Sequence, residues 1–400
     1  MPTTTPTTGT HLSRNVWLLS WISLLNDLSS ELALTTLPLF LRNVLGVPTA
    51  VIGLIEGVAD STATLLRVFS GYLSDRLGRR KPLVAAGYSL SSVTKPFLYF
   101  ATTWPLVMLV RFADRAGKGV RNAPRDALIA DSTDPAYRGR AFGFRHAMDT
   151  AGAVIALASA PLLVYFTQGN RLLMTRPTYQ LLVLVAMVPG FLLLLLLPLV
   201  KDVRGPGPER PRLTLRGFDR RFYVFLVVVT LFALGNSSDA FLILRAQTLG
   251  VTVLHLFLVL AAINLVMALS AYPSGAISDR VGRKRLIIFG WLVYALIYLG
   301  FALAHSAAWV VGLFIAYGLY HGATTGAANA LIADLVPAER RGTAFGLYNT
   351  MVGAALFPAS VIAGVLWDRV GPAAPFLFGA ALALAAVIGL GVVFRETVAA

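Results

Sequence analysis

The chain is a succession of long apolar stretches separated by short polar ones. A helix that crosses a membrane needs about 20 mainly apolar residues, and twelve such stretches follow one another between residues 15 and 394. The clearest covers 181–200 and contains six consecutive leucines. The pattern predicts an all-α membrane protein whose twelve transmembrane helices occupy residues 15–42, 48–74, 82–101, 104–126, 138–167, 178–200, 221–247, 252–277, 285–304, 308–333, 342–367 and 372–394.

The longest polar stretch divides the predicted helices into two sets of six. It covers 201–220 and contains the sequence Gly-Pro-Gly-Pro, which is typical of a linker. We therefore expect an N-terminal six-helix bundle at 15–200 and a C-terminal six-helix bundle at 221–394, joined on the cytoplasmic side. The Thr/Pro-rich segment 1–14 and the segment 395–400 are predicted to be cytoplasmic tails, the first of them disordered.

The composition excludes most soluble classes of protein. Hydrophobic residues make up 56% and charged residues 13% of the chain, whereas soluble domains average about 25% charged residues. Since the chain has no cysteine, it has no disulfide, thiolate metal site or cysteine nucleophile. Walker A, zinc protease and Gly-x-Ser-x-Gly motifs are absent from the sequence too. We therefore expect neither an enzyme nor a metal centre.

The net charge is +15, and the basic residues are distributed as the expected membrane topology requires. With a cytoplasmic N-terminus, the predicted inner loops hold nineteen Lys and Arg residues and the outer loops four. The positive-inside rule then places both termini in the cytoplasm, and we expect the inner (cytoplasmic) membrane of the cell. The charge is thus a topology signal and does not predict nucleic-acid binding, although it favours contact with anionic lipid at the inner surface.

The two halves of the chain resemble each other. Residues 71–81, Gly-Tyr-Leu-Ser-Asp-Arg-Leu-Gly-Arg-Arg-Lys, match residues 275–285 at an offset of 204. The sequence Ala-Leu-Ile-Ala-Asp ends at Asp131 and recurs 203 positions later, ending at Asp334. Since six helices separate the copies, both copies have the same orientation, and a site between them near the middle of the membrane is expected.

The repeated loop is similar to the signature loop of the major facilitator superfamily, and the resemblance extends from about Arg14 to Arg395. It implies two pseudo-symmetric six-helix bundles that rock about a central cavity lined by helices one, four, seven and ten. It also implies a secondary active transporter for a small molecule, driven here by protons without a cofactor. We expect a monomer. A passive channel, a receptor and an intramembrane enzyme are the alternatives, of which the repeated loop argues against the first.

The repeated loop is the candidate inner gate. A carboxylate at Asp75 can pair with a neighbouring arginine and with a helix N-terminus, and Gly78 permits a tight turn. Such a cluster can hold the outward-open state and release when the cavity opens inward; the alternative is a basic loop that only sets topology. The predicted gate residues are Asp75, Arg76, Gly78, Arg79, Arg80, Arg121, Arg125, Asp126, Asp131, Asp279, Arg280, Gly282 and Arg283.

Five cations of the fourth predicted helix recur every three or four residues and therefore share one face. The corresponding positions 203 residues later lack these charges, so the scaffold does not need them and a role in function is favoured. The alternative for the cations nearer the cytoplasm is that they only form gate ion pairs. The stripe is Arg111, Arg115, Lys118, Arg121 and Arg125, with Asp114 beside it.

Three acidic residues are candidates for proton coupling, because ionisable groups inside membrane helices are costly and mostly functional. Asp27 and Glu31 are four residues apart on one helical face, and one of two neighbouring carboxyls in a dry cavity should hold a proton. Asp149 is similarly placed four residues after Arg145. The alternatives are ion pairs with the helix-four arginines and within helix five. Lys95 is near the outer end of its span, where its side chain can reach the membrane surface.

These observations predict proton-coupled export of a drug-like or toxic organic compound. The fifth helix supports export only in part: it has Gly143 and Gly152 at the spacing of the family's antiporters, but Ala156 and Leu157 where Gly-Pro is usual. The cationic stripe favours an anionic or chelating group, so the alternative is an anionic metabolite or metal chelate, moved in either direction. The predicted substrate and cavity residues are Asn26, Arg111, Asp114, Arg115, Lys118, Arg145 and His321.

Overall fold

The computed structural model describes residues 12–203, 218–281, 283–337 and 340–393; within these ranges, the side chains at 271–281, 283–284, 322–330, 333–334, 342 and 392–393 are not described. Most of the two predicted tails and of the predicted linker therefore lies outside the described residues. The same is true of Gly282 and of the side chains of Asp279, Arg280 and Arg283, so the second copy of the predicted gate loop stays a prediction.

The first half consists of six helical segments within the described residues. The first, α1 (Arg14–Leu34), continues through a short helix at Leu37–Leu39 and a π-helical turn at Phe40–Val44, and α3 continues into a 3-10 helix at Lys95–Phe100. A 3-10 helix at Pro135–Tyr137 precedes the fifth segment, and another at Leu197–Leu199 follows the sixth. The remaining bounds are α2 (Thr49–Leu77), α3 (Lys81–Thr94), α4 (Trp104–Asp131), α5 (Arg138–Gln168) and α6 (Arg176–Leu196).

The second half repeats this arrangement in the part of it that the structure describes. Its first helix is interrupted, with α7a at Arg220–Gly235 and α7b at Ala240–Thr248. The remaining bounds are α8 (Val253–Val281), α9 (Arg283–Leu303), α10 (Ala307–Leu335), α11 (Arg341–Arg369) and α12 (Ala374–Val393).

The helical content confirms the all-α membrane prediction, since no strand occurs among the described residues. Eight of their helical segments are long and apolar enough to cross a membrane, which makes the protein a multi-pass membrane protein. The prediction of twelve spans is supported to that extent and otherwise stays a prediction. The segments outside the eight include α4, whose many charged side chains lower its apolarity.

Local sequence explains where several helices begin and end. The Ser13 hydroxyl accepts a hydrogen bond from the backbone N–H of Val16 and so caps α1. Gly78 ends α2 with a φ of 62°, a left-handed conformation that glycine adopts without steric cost. Pro82 and Pro105 occupy first-turn positions of α3 and α4, where a missing N–H costs no helical hydrogen bond.

The two halves pack together chiefly along α2 and α11. Small residues make this close approach possible: a Cβ atom at Gly57 would lie 2.8 Å from the carbonyl oxygen of Phe357, and one at Gly364 would lie 2.7 Å from Cα of Ala50. At mid-depth the Ser61 hydroxyl donates a 2.7 Å hydrogen bond to the carbonyl of Gly353. The helix backbones themselves thus form the contact.

The loops at one end of the bundle also join the halves. We call the end where α1 begins and α2 ends the basic end, and the other end the opposite end. At the opposite end Gln247 donates to the carbonyl of Leu172 (2.8 Å), and Thr252 donates to Asn170 (2.6 Å). The other hydrogen bonds described between side chains of one half and the backbone of the other lie at this end and in the middle of the bundle.

The apolar cores show the same asymmetry. The larger core combines residues of both halves, including Phe40, Tyr179, Phe241 and Trp367. A second core at the basic end, which contains Leu19, is built from first-half residues alone among those described. Among the described residues, the contacts that join the halves therefore lie at the opposite end and at mid-depth, and the core at the basic end lies within the first half.

Candidate functional site

An interruption in the seventh helix forms one wall of the central cavity. Residues 236–239, Asn-Ser-Ser-Asp, are not helical, and they separate α7a from α7b. Tyr294 of α9 donates to the Asn236 side chain (3.2 Å), and the backbone N–H of Ser238 donates to Ser360 of α11 (3.2 Å). Non-helical backbone at membrane depth is tolerated where it lines a cavity, and the side chains of Ser238 and Asp239 do so.

The main cavity has a volume of about 340 Å³ and lies between the halves. A second cavity of about 150 Å³ adjoins it within the first half, and Glu31, Arg111 and Arg115 line both. Most of the predicted substrate and coupling residues surround this combined space. They are Asn26, Asp27, Glu31, Arg111, Asp114, Arg115, Lys118 and His321, together with Arg121, which we predicted as a gate residue.

Two of the five cations in the stripe on α4 are neutralised by carboxylates of α2. Arg111 donates to Glu56 from Nε (3.2 Å) and Nη2 (2.6 Å), and both side chains are buried. Arg115 lies 3.6 Å from Asp60 in an ion pair. Because these pairs cancel the charge of two stripe cations, the stripe alone is a weaker argument for an anionic substrate than the sequence indicates.

Glycines place α4 close enough to its neighbours for these contacts. A Cβ at Gly117 would lie 2.5 Å from the carbonyl oxygen of Gly87 on α3, and one at Gly119 would lie 2.8 Å from that of Ala63 on α2. The helix is thus wedged between α2 and α3, and its cations reach both.

The expectation that Lys95 reaches the membrane surface is wrong. Its ammonium is buried, donates to Ser29 (3.2 Å) and Ser30 (2.8 Å) of α1, and lies 4.0 Å from the carboxylate of Asp114. The shift to 3-10 helix at residue 95 places this side chain inside the bundle. Lys95 therefore joins α1, α3 and α4 behind the smaller cavity, and sequence position alone gave no signal of it.

The acidic pair of α1 does not neutralise the stripe. Asp27 accepts a hydrogen bond from Asn26 (3.0 Å) and Glu31 accepts one from Thr35, and neither carboxylate has a described cation within 4.0 Å. Lys118 on α4 lines the same cavity, is exposed to it and likewise has no described ion pair. Two carboxylates and one ammonium thus face the cavity without a described ion-pair partner.

The remaining stripe cations contact residues nearer the basic end. Arg121 donates to Ser91 (2.7 Å) and lies 4.6 Å from the centre of the Tyr88 ring. Arg125 donates to Ser23 (3.2 Å) and to Asp126 (3.1 Å). These contacts bind α4 to α1 and α3.

The predicted pair on α5 lies outside both cavities. Arg145 donates to Asp149 (2.6 Å) and approaches Asp126 of α4 to 4.0 Å, while Arg67 of α2 reaches Asp126 at 3.5 Å. Asp149 interacts electrostatically with Asp27, and a proton relay between the two stays a prediction.

The first copy of the signature loop is an ion-pair cluster within the first half. Arg80 donates to Asp75 at the end of α2 (2.7 Å) and to Asp131 at the end of α4 (2.6 Å). Although burial alone lowers the pKa of the Arg80 guanidinium, these two carboxylates raise it above its usual value. Asp202 caps α3 by accepting from the backbone N–H of Arg80 and of Lys81, and Arg76 and Arg79 are exposed.

Acidic side chains that the sequence analysis did not assign to the site are part of it. Glu56, Asp60 and Asp239 all line the main cavity, and Tyr317 of α10 donates to Asp239 at 2.9 Å. The general rule that acids inside membrane helices are functional was the available signal for all three. Their pairing depends on which helices are neighbours, which the periodicity does not show.

Two helical halves around a polar cavity define a membrane transporter rather than an enzyme. The chain belongs to the Major Facilitator Superfamily, whose family model matches residues 19–359 and, in a second match, 223–399. This confirms the family predicted from the signature loop.

Known proteins similar to this chain agree with the family assignment. An uncharacterized MFS-type transporter of Methanocaldococcus jannaschii is 35% identical over 93% of both chains. A probable 4-methylmuconolactone transporter of Cupriavidus pinatubonensis is 26% identical, covering 82% of this chain and 77% of its own. The multidrug resistance protein MdtH of Photorhabdus laumondii is 34% identical over 30% of each chain.

A solved structure shows the same fold. The POT family transporter PepTSo superposes with a TM-score of 0.78 at 13% identity, covering 96% of this chain and 98% of that one. At this identity the likeness concerns the fold alone.

Proposed function

We propose that this transporter exports a drug-like or toxic organic compound in exchange for protons. The basic end, both termini and the cavity opening face the cytoplasm, and the membrane is the inner (cytoplasmic) membrane. The charge asymmetry of the loops supports this orientation, and the partial similarity to a multidrug resistance protein supports export. The proton gradient supplies the energy, and the protein acts as a monomer without a cofactor.

The charge balance of the cavity is the observation that carries the proposal. Among the described residues lining the two cavities, six are acidic and four are Lys or Arg, and Lys95, which pairs with Asp114 from behind the smaller cavity, is a fifth cation. Of the six, three are in ion pairs, with Arg111, Arg115 and Lys95. The one carboxylate in excess requires a proton or a cationic group for neutrality, because isolated charges are costly at this depth.

Asp27 and Glu31 are the groups best placed to carry the proton. They share a face of α1 and line the cavity without a fixed cation, so their charge can change without breaking an ion pair. In the proposed cycle, a proton acquired from outside neutralises this pair, and binding of the compound from the cytoplasm releases that proton inward. The gate cluster around Arg80 then contacts the second half as the cavity opens outward.

The proposal is tested in inverted membrane vesicles energised by a pH gradient. A panel of fluorescent drug-like compounds is screened for uptake that requires the protein. Asp27→Asn and Glu31→Gln are expected to abolish pH-driven uptake but retain exchange of labelled for unlabelled compound. Asp134→Asn, which alters an exposed loop carboxylate, is the control. Full pH-driven uptake by Asp27→Asn would refute the coupling assignment.

A second candidate is transport of an anionic metabolite or metal chelate. It is favoured by Lys118, an ammonium exposed to the cavity without a described ion pair. A carboxylate ligand could occupy the space between Lys118 and Arg121. This candidate predicts that Lys118→Met loses uptake of anionic compounds and that cationic compounds are not carried.

A further inference from the structure

We infer that Asp239, in the interruption of the seventh helix, binds the positively charged head of an organic cation carried by this transporter. The inference rests on the proposal that the central cavity holds an organic solute, and it names the chemical class of that solute. It concerns the second half, whereas the proposed proton groups lie in the first.

Asp239 is a carboxylate held open to the cavity. It follows the non-helical segment 236–238 and precedes α7b, so its side chain lies at the lining and is exposed there. The Tyr317 hydroxyl donates it a hydrogen bond of 2.9 Å. No described cation lies within 4.0 Å of the Asp239 carboxylate, which is the limit for an ion pair. One donor leaves most of the acceptor capacity of a carboxylate free.

The described charges that face Asp239 form no ion pair with it. Across the cavity, Asp60 and Arg115 form an ion pair of 3.6 Å and largely cancel each other at a distance. On α10, His321 interacts electrostatically with Asp239 from the turn after Tyr317. In the second half, the imidazole of His321 is therefore the only described basic group that acts on Asp239.

The walls around Asp239 suit the apolar part of such a cation. The rings of Phe314 and Tyr317 are nearly fully buried and line the same cavity, together with Ile263 and Met267 of α8. Aromatic faces attract alkylammonium and similar cations, more strongly where water is excluded. A carboxylate beside aromatic and aliphatic walls is complementary to a hydrophobic amine rather than to a small inorganic ion.

The test compares two ions of the same shape and opposite charge, tetraphenylphosphonium and tetraphenylborate. Their binding to the purified, bead-captured protein is measured without a gradient, after subtraction of binding to protein-free beads and micelles. We expect the protein to bind the cation, and Asp239→Asn to weaken that binding roughly tenfold or more. Asp239→Glu should retain most of it, and Tyr317→Phe should change it severalfold. Asp134→Asn is the matched control.

Equal affinity of Asp239→Asn and the unaltered protein for tetraphenylphosphonium would overturn the inference, as would stronger specific binding of tetraphenylborate. If Asp239→Asn does not fold, unchanged affinity of Tyr317→Phe for tetraphenylphosphonium would overturn it. Because no gradient is used, the result is independent of proton coupling. If transport is not coupled to protons but binding of tetraphenylphosphonium still depends on Asp239, the proposed function alone is refuted. If transport is coupled to protons but this binding does not depend on Asp239, this inference alone is refuted.

Discussion

The carboxylate of Asp368 on α11 accepts a 2.7 Å hydrogen bond from the backbone N–H of Ala50 on α2. Its other oxygen accepts one of 3.2 Å from the N–H of Thr49. The first N–H groups of a helix have no partner within the helix, and a negative charge there is favoured by the helix dipole. A residue of the second half thus caps a helix of the first at the opposite end of the bundle.

Replacing Asp368 with Ala should shift the protein toward opening at the opposite end. Loss of a helix cap costs about 1 kcal/mol, and this cap exists only while the halves are together at that end. We expect a change of roughly fivefold in the ratio of closed to open conformations.

The chain has no cysteine, so reporter cysteines can be introduced without background. Asn170→Cys and Thr252→Cys form a pair across the halves, and their crosslinking rate reports closure. Asp368→Ala should slow crosslinking, whereas Asp134→Ala at the basic end should not. An unchanged rate would show that the cap does not contribute to closure.

Arg80 should tolerate substitution by lysine poorly, because one ammonium cannot reach both of its carboxylates as the guanidinium does. We expect Arg80→Lys to lower the free energy of unfolding by about 1–2 kcal/mol, mainly through Asp131, since Asp75 is largely exposed and its pair is screened by water. Thermal unfolding in detergent measures the effect. Arg79→Lys changes an exposed neighbour and should be silent; equal effects of the two would contradict a specific role for Arg80.

The fold could be predicted from the sequence because its signals are local. The length and apolarity of stretches such as 181–200 indicate membrane helices, and the repeat of residues 71–81 indicates two related halves. The interruption at 236–239 was missed because apolar residues continue on both sides of it and only a short Asn-Ser-Ser-Asp sequence marks it.

The candidate site could be predicted only in part. Periodicity placed the cations of α4 on one face, but ion pairing depends on contacts between helices that are distant in sequence. Arg111 pairs with Glu56 and Lys95 approaches Asp114 because glycines bring α2, α3 and α4 together. Such distances depend on the packing of the whole bundle, so no motif predicts them.

Gly117 should not accept a side chain. A Cβ there would lie 2.5 Å from the backbone oxygen of Gly87, so Gly117→Ala must push α3 and α4 apart, at a cost of about 1–3 kcal/mol. Gly143 on α5 has nothing within 4 Å of the same position, and Gly143→Ala should be neutral or slightly stabilising because alanine favours the helix. Thermal unfolding compares them. Equal melting temperatures would contradict the close helix contact.

Replacing Lys95 or Asp114 alone should lower the free energy of unfolding more than replacing both. Lys95→Met leaves the buried Asp114 carboxylate without its nearest cation, and we expect the free energy of unfolding to fall by about 3–5 kcal/mol. Asp114→Asn in the same chain removes the uncompensated charge and should restore much of that loss. Thermal unfolding of both single variants and the double variant gives the coupling energy, with exposed Lys201→Met as the control. Strictly additive losses would mean that the two groups, 4.0 Å apart, do not interact, and that Lys95 is held only by its serine contacts on α1.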